Sequence, residues 1–355
     1  MRDTEIDEAR LAAFMGQAVA DMGAILSAPL MVIGEKLGLY KAMAGAGPLT
    51  SQEVAERSGT AERSVREWLG NQAAGGYVTY DPESDSYTLP DEHALALADE
   101  DSPFYVLSAY ESIASLYADA DQILEAFRSG EGMGWHEHDR RLFRGTERFF
   151  RPGYRAHLVA EWIPALDGVT EKLERGAKVA DVGCGHGAST VIMAEAFPNS
   201  EFFGFDYHAA SIERAREAAR EAGVEDHIVF EVASAKEYPG VGYDLVCMFD
   251  CLHDMGDPVG ASAHVLESLH HDGTWMVVEP FANDRIEENL NPVGRLFYGA
   301  STVICTPASL AQEVGLALGA QAGEARITEV IKQGGFSRVR RATETPFNLI
   351  LEATP

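Results

Sequence analysis

The stretch Ala177–Ala188, AKVADVGCGHGA, decides the fold of this chain. Lys178–Asp181 predict a short buried strand, and the chain then turns through Gly183, Gly185 and Gly187 into an apolar helix. A strand, a glycine-rich turn and a helix start in this order are typical of a nucleotide-cofactor site. Glycine lets the backbone approach a ligand closely, and the helix start presents free N–H groups.

The spacing of the glycines restricts the class of ligand that this turn can bind. It reads G-x-G-x-G after Asp181, which is neither the G-x-G-x-x-G of dinucleotide folds nor the lysine-containing phosphate loop. No lysine follows that could hold a phosphate, and the Asp181 carboxylate would repel a pyrophosphate. The turn therefore favours a ligand with an ammonium or sulfonium group, contacted by Asp181, Gly183, Cys184, Gly185 and Gly187.

Strands and helices alternate regularly from Lys178 onward. Strands are predicted at 178–182, 201–206, 227–232, 243–249, 273–279, 336–341 and 346–352, and helices at 188–197, 208–222, 259–270 and 324–334. Parallel strands joined by helices form a doubly wound α/β sheet, whereas the short turn before the last strand makes that strand antiparallel. We expect a Rossmann-like sheet of seven strands with an antiparallel last strand.

The chain is predicted to have three parts. Residues 1–98 predict a mainly helical domain, in which helices and an acidic hairpin at 48–98 form a winged helix. Residues 99–175 predict a helical linker and pocket cover, and 176–355 the Rossmann-like domain with a lid insertion at 281–322. Pro29 and Gly34 predict a bend in the apolar N-terminal helices, which are expected to mediate dimerisation or to pack on their own domain.

Charge argues against nucleic acid as a partner. The formal net charge is −28, and residues 48–98 hold nine acidic side chains against three arginines, whereas a phosphate-binding surface should be positive. The same balance disfavours anionic membranes. With no visible signal peptide, no apolar run of membrane length and no cysteine pattern typical of disulfides, we predict a cytoplasmic location.

Residues that follow successive strands are the candidates for ligand contact, because the carboxyl ends of parallel strands meet at one edge of the sheet. Asp206, beside Tyr207, stands where an acid can bind both hydroxyls of a ribose, although it could instead cap a helix. Ser234 and Ala235 stand where an adenine edge can be read. Phe249, Asp250 and His253 follow the fourth strand, and Glu279 follows the fifth.

Residues 145–355 resemble the class I S-adenosylmethionine-dependent methyltransferases. VADVGCGHG matches their first motif and FFGFD their ribose motif, whereas Ser234 stands where the family commonly has an acid. The predicted winged helix and the segment FDCLHDMGDP are similar to small-molecule O-methyltransferases that dimerise through the N-terminal domain. A bacterial subgroup with this layout is often labelled as transcriptional regulators. The resemblance implies S-adenosylmethionine as cofactor and S-adenosylhomocysteine as product. No metal is expected, because Cys247, Cys251 and His253 lack zinc-ligand spacing and the histidines and acids of 130–139 are interpreted as part of an exposed polar loop.

The resemblance also implies a general base. In the O-methyltransferases the histidine of a His-Asp pair takes the acceptor's proton, which assigns that role here to His253, with Glu279 as the acid that orients it. An imidazole can accept a hydroxyl proton near neutral pH, and such a base typically contributes ~10²–10⁴-fold to the rate. His253 could instead be a core or capping residue. Asp254 is expected to face away if His253 faces the site, and it is interpreted as a turn residue.

Candidate walls for a small-molecule acceptor come from the two stretches predicted to cover the site, and they are Tyr154, His157, Asn291, Arg295 and Tyr298. Three functions stay open from the sequence. A hydroxyl acceptor would need the base, and a sulfur or nitrogen acceptor would not. A winged-helix transcriptional regulator that senses S-adenosylmethionine is the alternative from another class.

Overall fold

The computed structural model describes residues 6–355. The chain divides into two compact units, of which the first ends at Ala114 and the second runs from Ser115 to Pro355. The elements of the first unit are α1 (Glu8–Lys36), α2 (Leu39–Met43), α3 (Ser51–Ser58), α4 (Glu62–Ala74), β1 (Thr79–Asp81), β2 (Ser86–Thr88) and α5 (Asp91–Leu97). A further helix, α6 (Leu107–Leu116), crosses the boundary between the units.

The winged-helix part of the first unit follows from local sequence signals. Thr50 and Glu53 form a reciprocal capping box at the start of α3, because each side chain satisfies a backbone N–H of the other's residue. β1 and β2 pair as an antiparallel hairpin around the acidic turn. The predicted winged helix is therefore present, with α5 as an additional helix after the wing.

The predicted interruption of the N-terminal helices is wrong, because α1 continues as one helix through Pro29 and Gly34. The bend at these residues stays a prediction. Contacts made just after the proline explain why the helix persists. The Trp68 indole N–H donates to the Leu30 carbonyl oxygen at 2.9 Å. A Cβ atom at Gly34 would lie 2.7 Å from the rings of both Trp68 and Tyr40, so glycine lets α1 pack closely against these rings.

Most apolar side chains of α1 remain exposed in the described chain. Phe14 is 63% exposed and Leu26 is 70% exposed. The expectation that no apolar stretch reaches membrane length is also wrong, because α1 is long and apolar enough to cross a membrane, with a mean hydropathy of 1.4 over 18 residues. That finding concerns length and composition alone, and signal sequences and core helices meet the same criterion.

The second unit contains the large sheet. Its strands are β3 (Lys178–Val182), β4 (Glu201–Asp206), β5 (Ile228–Val232), β6 (Tyr243–Phe249), β7 (Leu269–Pro280), β8 (Arg338–Glu344) and β9 (Asn348–Thr354). Its helices are α7 (Ala120–Ser129), α8 (Arg140–His157), α9 (Val169–Arg175), α10 (Ala188–Ala196), α11 (Ala209–Ala222), α12 (Pro258–Ser268), α13 (Pro292–Ala300), α14 (Thr306–Leu310) and α15 (Gly323–Gln333).

The strand order β5-β4-β3-β6-β7-β9-β8 confirms the predicted seven-stranded sheet. β3 to β7 pair in parallel, and β9 pairs antiparallel with both β7 and β8. The core of β6 and β7 is apolar and buried on both faces, as expected where helices cover both sides of a sheet. β3 and β6 are neighbours, so the turns that follow them lie side by side.

Two details of the second unit differ from the sequence prediction. β7 begins at Leu269, which places His270, His271 and Asp272 within a strand and not at the end of a helix. The insertion 281–322 contains α13, a π-helical turn at Ser301–Cys305 and α14. Hydrogen bonds from Leu316 to the Gly256 carbonyl and from Gly319 to the His253 carbonyl hold this insertion against the turn after β6.

Candidate functional site

The glycine turn after β3 has the left-handed backbone that its sequence implies. Gly183, Gly185 and Gly187 have φ angles of 77°, 53° and 79°, a region that side-chain-bearing residues rarely adopt. A Cβ at Gly183 would lie 2.7 Å from the Cys251 sulfur, and one at Gly187 would lie 2.7 Å from the Phe230 ring. At Gly185 no described atom lies within 4 Å of the Cβ position, so this glycine leaves open space above the turn.

Asp206 lies at the end of β4 beside this turn. Its Oδ2 accepts from the Gly185 N–H at 3.0 Å, and its Oδ1 accepts from the His208 N–H at 2.8 Å. Burial raises the pKa of this carboxyl group, while the two backbone donors oppose the rise. Each oxygen retains a lone pair, so the carboxylate can still accept hydrogen bonds from two neighbouring hydroxyls of a ligand.

Asp181 lies beneath the turn and is 1% exposed. Its Oδ2 accepts from both the Ser189 and the Thr190 hydroxyl at 2.6 Å. Its Oδ1 is buried and has no hydrogen-bond partner among the described residues. Burial raises the pKa of Asp181 to about 6, which marks a carboxylate whose charge the protein itself does not fully compensate.

A cavity of about 510 Å³ opens beside these groups, within the range usual for a small-ligand site. The predicted residues that line it are Gly183, Cys184, Gly185, Asp206, Tyr207, Ser234, Ala235, Phe249, Asp250 and Tyr154. The carboxyl ends of β3, β4, β5 and β6 thus contribute to one cavity. This brings together most of the ligand contacts that the sequence predicts.

Asp250 follows β6 with a φ of 50°, an uncommon backbone conformation for a residue other than glycine. The Tyr154 hydroxyl donates to its Oδ2, and the Asn348 side-chain amide donates to its Oδ1, both at 3.0 Å. Burial and the nearby Glu279 raise the pKa of Asp250 to about 8. The structure therefore holds a second carboxyl group with a raised pKa, half-buried in the wall of the cavity.

His253 and Glu279 form a buried pair. His253 Nδ1 lies 2.5 Å from Glu279 Oε2, and the Leu252 N–H donates to Glu279 Oε1 at 3.0 Å. On the other side of the ring, His253 Nε2 lies 3.1 Å from Asp254 Oδ1. Burial lowers the pKa of His253, but the carboxylates of Glu279 and Asp254 outweigh it and raise the pKa well above its usual value.

The turn that carries His253 is a short 3₁₀ helix, Leu252–Asp254. It leaves His253 3% exposed, and Cys251, Asp254 and Met255 line the cavity in its place. Asp254 thus lies in a turn, as interpreted. The expected orientation of the pair is reversed, because Asp254 lines the cavity and His253 does not. Gln312, from the insertion, donates to the Asp254 carbonyl at 2.9 Å and accepts from the Gly256 N–H at 3.1 Å.

Several predicted site residues lie outside the described cavity wall. They are Asp181, Gly187, His253 and Glu279, which lie directly behind it, and His157, Asn291, Arg295 and Tyr298. Asn291 caps α13 by accepting from the Gly294 N–H, and the His157 ring stacks on Trp162. Arg295 and Tyr298 belong to α13. The assignment of these four residues to an acceptor stays a prediction.

Sequence reasoning missed part of the cavity wall. The segment 134–137, interpreted as an exposed polar loop, contributes Trp135, His136 and Glu137. Phe143 and Glu147 of α8, His186 of the glycine turn and Gln312 also line the cavity. His138, from the same loop, is buried and its Nδ1 lies 3.1 Å from Asp119 Oδ2. The aromatic and histidine residues of this loop were the sequence signal that could have identified it as part of the cavity wall.

Comparisons with known proteins agree with this description. Residues 173–334 match the family described as a methyltransferase domain, and residues 25–99 match the Rv2258c-like winged helix-turn-helix domain. The chain therefore carries an N-terminal winged-helix domain followed in sequence by a methyltransferase domain.

The first curated relative is 27-O-demethylrifamycin SV methyltransferase of Amycolatopsis mediterranei (strain S699). It is 32% identical over 140 residues, which are 39% of this chain and 43% of that protein. The match thus spans less than half of either protein.

Two solved structures share the whole fold. Mitomycin 7-O-methyltransferase has a TM-score of 0.71 at 19% identity, with 98% of this chain and 100% of that chain covered. Human N-acetylserotonin methyltransferase in complex with SAM has a TM-score of 0.67 at 16% identity, with 100% and 99% covered. At these identities the likeness concerns the fold.

The residues present fit S-adenosylmethionine. Asp206 offers two acceptors to a ribose, Gly185 leaves room for close backbone approach, and the unpartnered Oδ1 of Asp181 lies buried beneath the turn. The raised pKa values of the buried Asp181 and the half-buried Asp250 favour a cationic ligand, because a positive charge would lower the cost of ionising these carboxyl groups. Such a cofactor would supply an electrophilic methyl group on sulfur.

Proposed function

We propose that this protein is an S-adenosylmethionine-dependent methyltransferase that transfers a methyl group to the hydroxyl of a small molecule. The observation that carries the proposal is the buried His253–Glu279 pair directly behind the wall of the cavity. The glycine turn and Asp206 lie at the neighbouring strand ends of the same sheet. A cofactor site and a proton acceptor therefore lie side by side.

His253 acts as the general base in this proposal. The acceptor hydroxyl would give its proton to Nε2 as its oxygen attacks. Bound S-adenosylmethionine would supply the methyl group, and its sulfur would keep the electron pair of the carbon–sulfur bond. Glu279 holds Nδ1 and stabilises the imidazolium that forms. Asp254 Oδ1 lies 3.1 Å from Nε2, and together with Glu279 it raises the pKa of the ring. The proposal therefore requires that the acceptor hydroxyl displaces Asp254 from Nε2 and that the ring is neutral when the acceptor binds.

The experiment compares acceptors that differ only in the attacking atom. The wild-type chain and His253→Ala are incubated with methyl-labelled S-adenosylmethionine and matched phenols, thiophenols and anilines. Transfer to phenols should fall about 10²–10⁴-fold in His253→Ala, whereas His227→Ala, an exposed control, should retain it. Phenol transfer that persists within a few-fold in His253→Ala would remove the base from the proposal.

A sulfur or nitrogen acceptor is the alternative within the same enzyme class. Such a nucleophile carries a lone pair and needs no base, so its transfer should be insensitive to His253→Ala. A winged-helix regulator is disfavoured by the charge of residues 48–98. A mobility-shift assay on genomic fragments at low salt should show no complex.

We further propose that the chain forms a homodimer through α1. The support is the exposed apolar face of that helix, which includes Phe14 and Leu26, because a stable monomer rarely exposes such a face. Light scattering should give the mass of a dimer, and Phe14→Glu with Leu26→Glu should give a monomer. Flotation of the wild-type chain with liposomes, with no dimer in solution, would instead favour a membrane contact.

A further inference from the structure

Three metal-ligand atoms meet where the insertion contacts the turn after β6. His253 Nε2, an Asp254 carboxylate oxygen and Cys305 Sγ all lie within 4.8 Å of one another. We call these residues the His–Asp–Cys cluster. His253 and Cys305 are buried, while Asp254 is partly exposed and lines the cavity. Imidazole, carboxylate and thiolate are the three donor types that proteins use for zinc.

The local backbone explains why adjacent residues converge here. Neighbouring side chains on an extended chain point apart, but the 3₁₀ turn Leu252–Asp254 brings His253 and Asp254 to one side. The π-helical turn Ser301–Cys305 carries the thiol to the same point from the insertion, and the Gly319 N–H bond to the His253 carbonyl fixes that contact.

The surroundings match those of a metal site. Glu279 holds Nδ1 of His253 at 2.5 Å, and a carboxylate behind a ligating histidine is the usual arrangement that aims Nε2 at a metal. Asp254 Oδ1 lies 3.1 Å from His253 Nε2, and a metal would replace that direct contact. Donors around tetrahedral zinc lie about 3.3–3.8 Å apart, so small shifts of the three side chains suffice.

We propose that the His–Asp–Cys cluster binds a zinc-like divalent cation. Cys305 would ligate as the thiolate and release its proton to solvent. Asp254, which lines the cavity, is the side from which water or a ligand would reach a fourth position. Because the metal would occupy Nε2, it would block the base proposed above, so bound metal is expected to inhibit methyl transfer. Only this inhibitory consequence rests on the proposed function.

Cobalt(II) is a spectroscopic probe that detects metal binding by the His–Asp–Cys cluster directly. The full chain, freed of metal with a chelator, is titrated with Co²⁺ and followed by absorption. One equivalent should produce a near-ultraviolet thiolate-to-cobalt band together with the visible bands of tetrahedral cobalt. Cys305→Ser and Cys305→Ala should lose the near-ultraviolet band and bind at least about 10-fold more weakly, as expected for removal of a metal ligand.

Two controls separate this cluster from other sites. Cys247→Ser removes a buried thiol in the middle of β6 and should leave the band unchanged. His270→Ala with His271→Ala removes the exposed group of three at 270–272 and should also leave it unchanged. Circular dichroism and thermal melting confirm that each variant is folded.

The outcomes are distinct. Absence of the band in the wild-type chain, its persistence in both Cys305 variants, or its loss in the His270/His271 variant would each overturn the proposal. Zn²⁺ should also inhibit methyl transfer by the wild-type chain and inhibit Cys305→Ser at least about 10-fold less. A cobalt band from a chain that transfers no methyl group would support the metal site and contradict the proposed enzyme.

Discussion

His253 Nδ1 and Glu279 Oε2 lie 2.5 Å apart, and the two side chains are 3% and 1% exposed. Glu279 also accepts from the Leu252 N–H, so one carboxylate fixes both the ring and the turn that carries it. A charged pair at this depth is costly unless both partners are satisfied. The proposed role of His253 as a base would account for this cost.

Glu279→Gln should reduce turnover while the protein stays folded. The amide places an N–H₂ group against either the Leu252 N–H or the His253 ring, so one donor loses its acceptor and the ring loses its orienting charge. We expect kcat to fall by about 10²-fold or more with KM little changed. Glu201→Gln, at the exposed start of β4, is the control. Equal kcat values would show that Glu279 is only structural.

The glycine turn offers a matched pair of substitutions. Gly185→Ala introduces a methyl group into open space, and its cost to the apo protein is the left-handed backbone alone, about 1–2 kcal/mol. Gly187→Ala adds a clash with the Phe230 ring. Thermal melting should therefore show the larger loss of stability for Gly187→Ala. Calorimetry should show weaker S-adenosylhomocysteine binding in Gly185→Ala, and unchanged affinity would place the ligand elsewhere.

Asp181 should make the apo protein less stable as pH rises. Its folded pKa of about 6 lies above the unfolded value of 3.8, so the folded state binds more protons between these values and loses stability as they leave. The difference in unfolding free energy between wild type and Asp181→Asn should therefore change by about 2 kcal/mol between pH 4.5 and 7.5. Urea titrations at both pH values measure it, and parallel curves would contradict the buried charge.

Asp250 combines a backbone requirement with a side-chain requirement. Asparagine tolerates its φ of 50° and alanine does not, so Asp250→Ala should be about 1 kcal/mol less stable than Asp250→Asn. Both variants lose the carboxylate, and both should bind a cationic cofactor more weakly. Urea unfolding measures the difference in stability, and calorimetry measures the loss of cofactor affinity. Equal stabilities would mean that the backbone relaxes.

The sequence predicted the large sheet because its signals are local. The glycine turn, the apolar strands and Asp206 each lie within a few residues of the elements that they define. The unbroken α1 could not be predicted, because contacts with Trp68 and Tyr40 from other helices hold it together after Pro29.

The candidate site shows the same difference between local sequence signals and contacts between distant residues. Gln312 reaches the turn at Asp254 from 58 residues away, and Cys305 reaches His253 from the same insertion. No spacing rule connects such positions. The residues around the acceptor could therefore be identified only from the structure. Arg295 and Tyr298 on α13, which the sequence predicted as acceptor contacts, do not belong to the described cavity wall.

We propose that S-adenosylmethionine binds this cavity through the glycine turn and Asp206, and calorimetric titration of the full chain with S-adenosylhomocysteine measures that binding. We expect saturable binding of one ligand per chain, weakened at least about 10-fold in Asp206→Ala because two ribose hydrogen bonds to a charged acceptor are lost. Absence of binding, equal affinity in the variant, or preferential binding of NAD would contradict it.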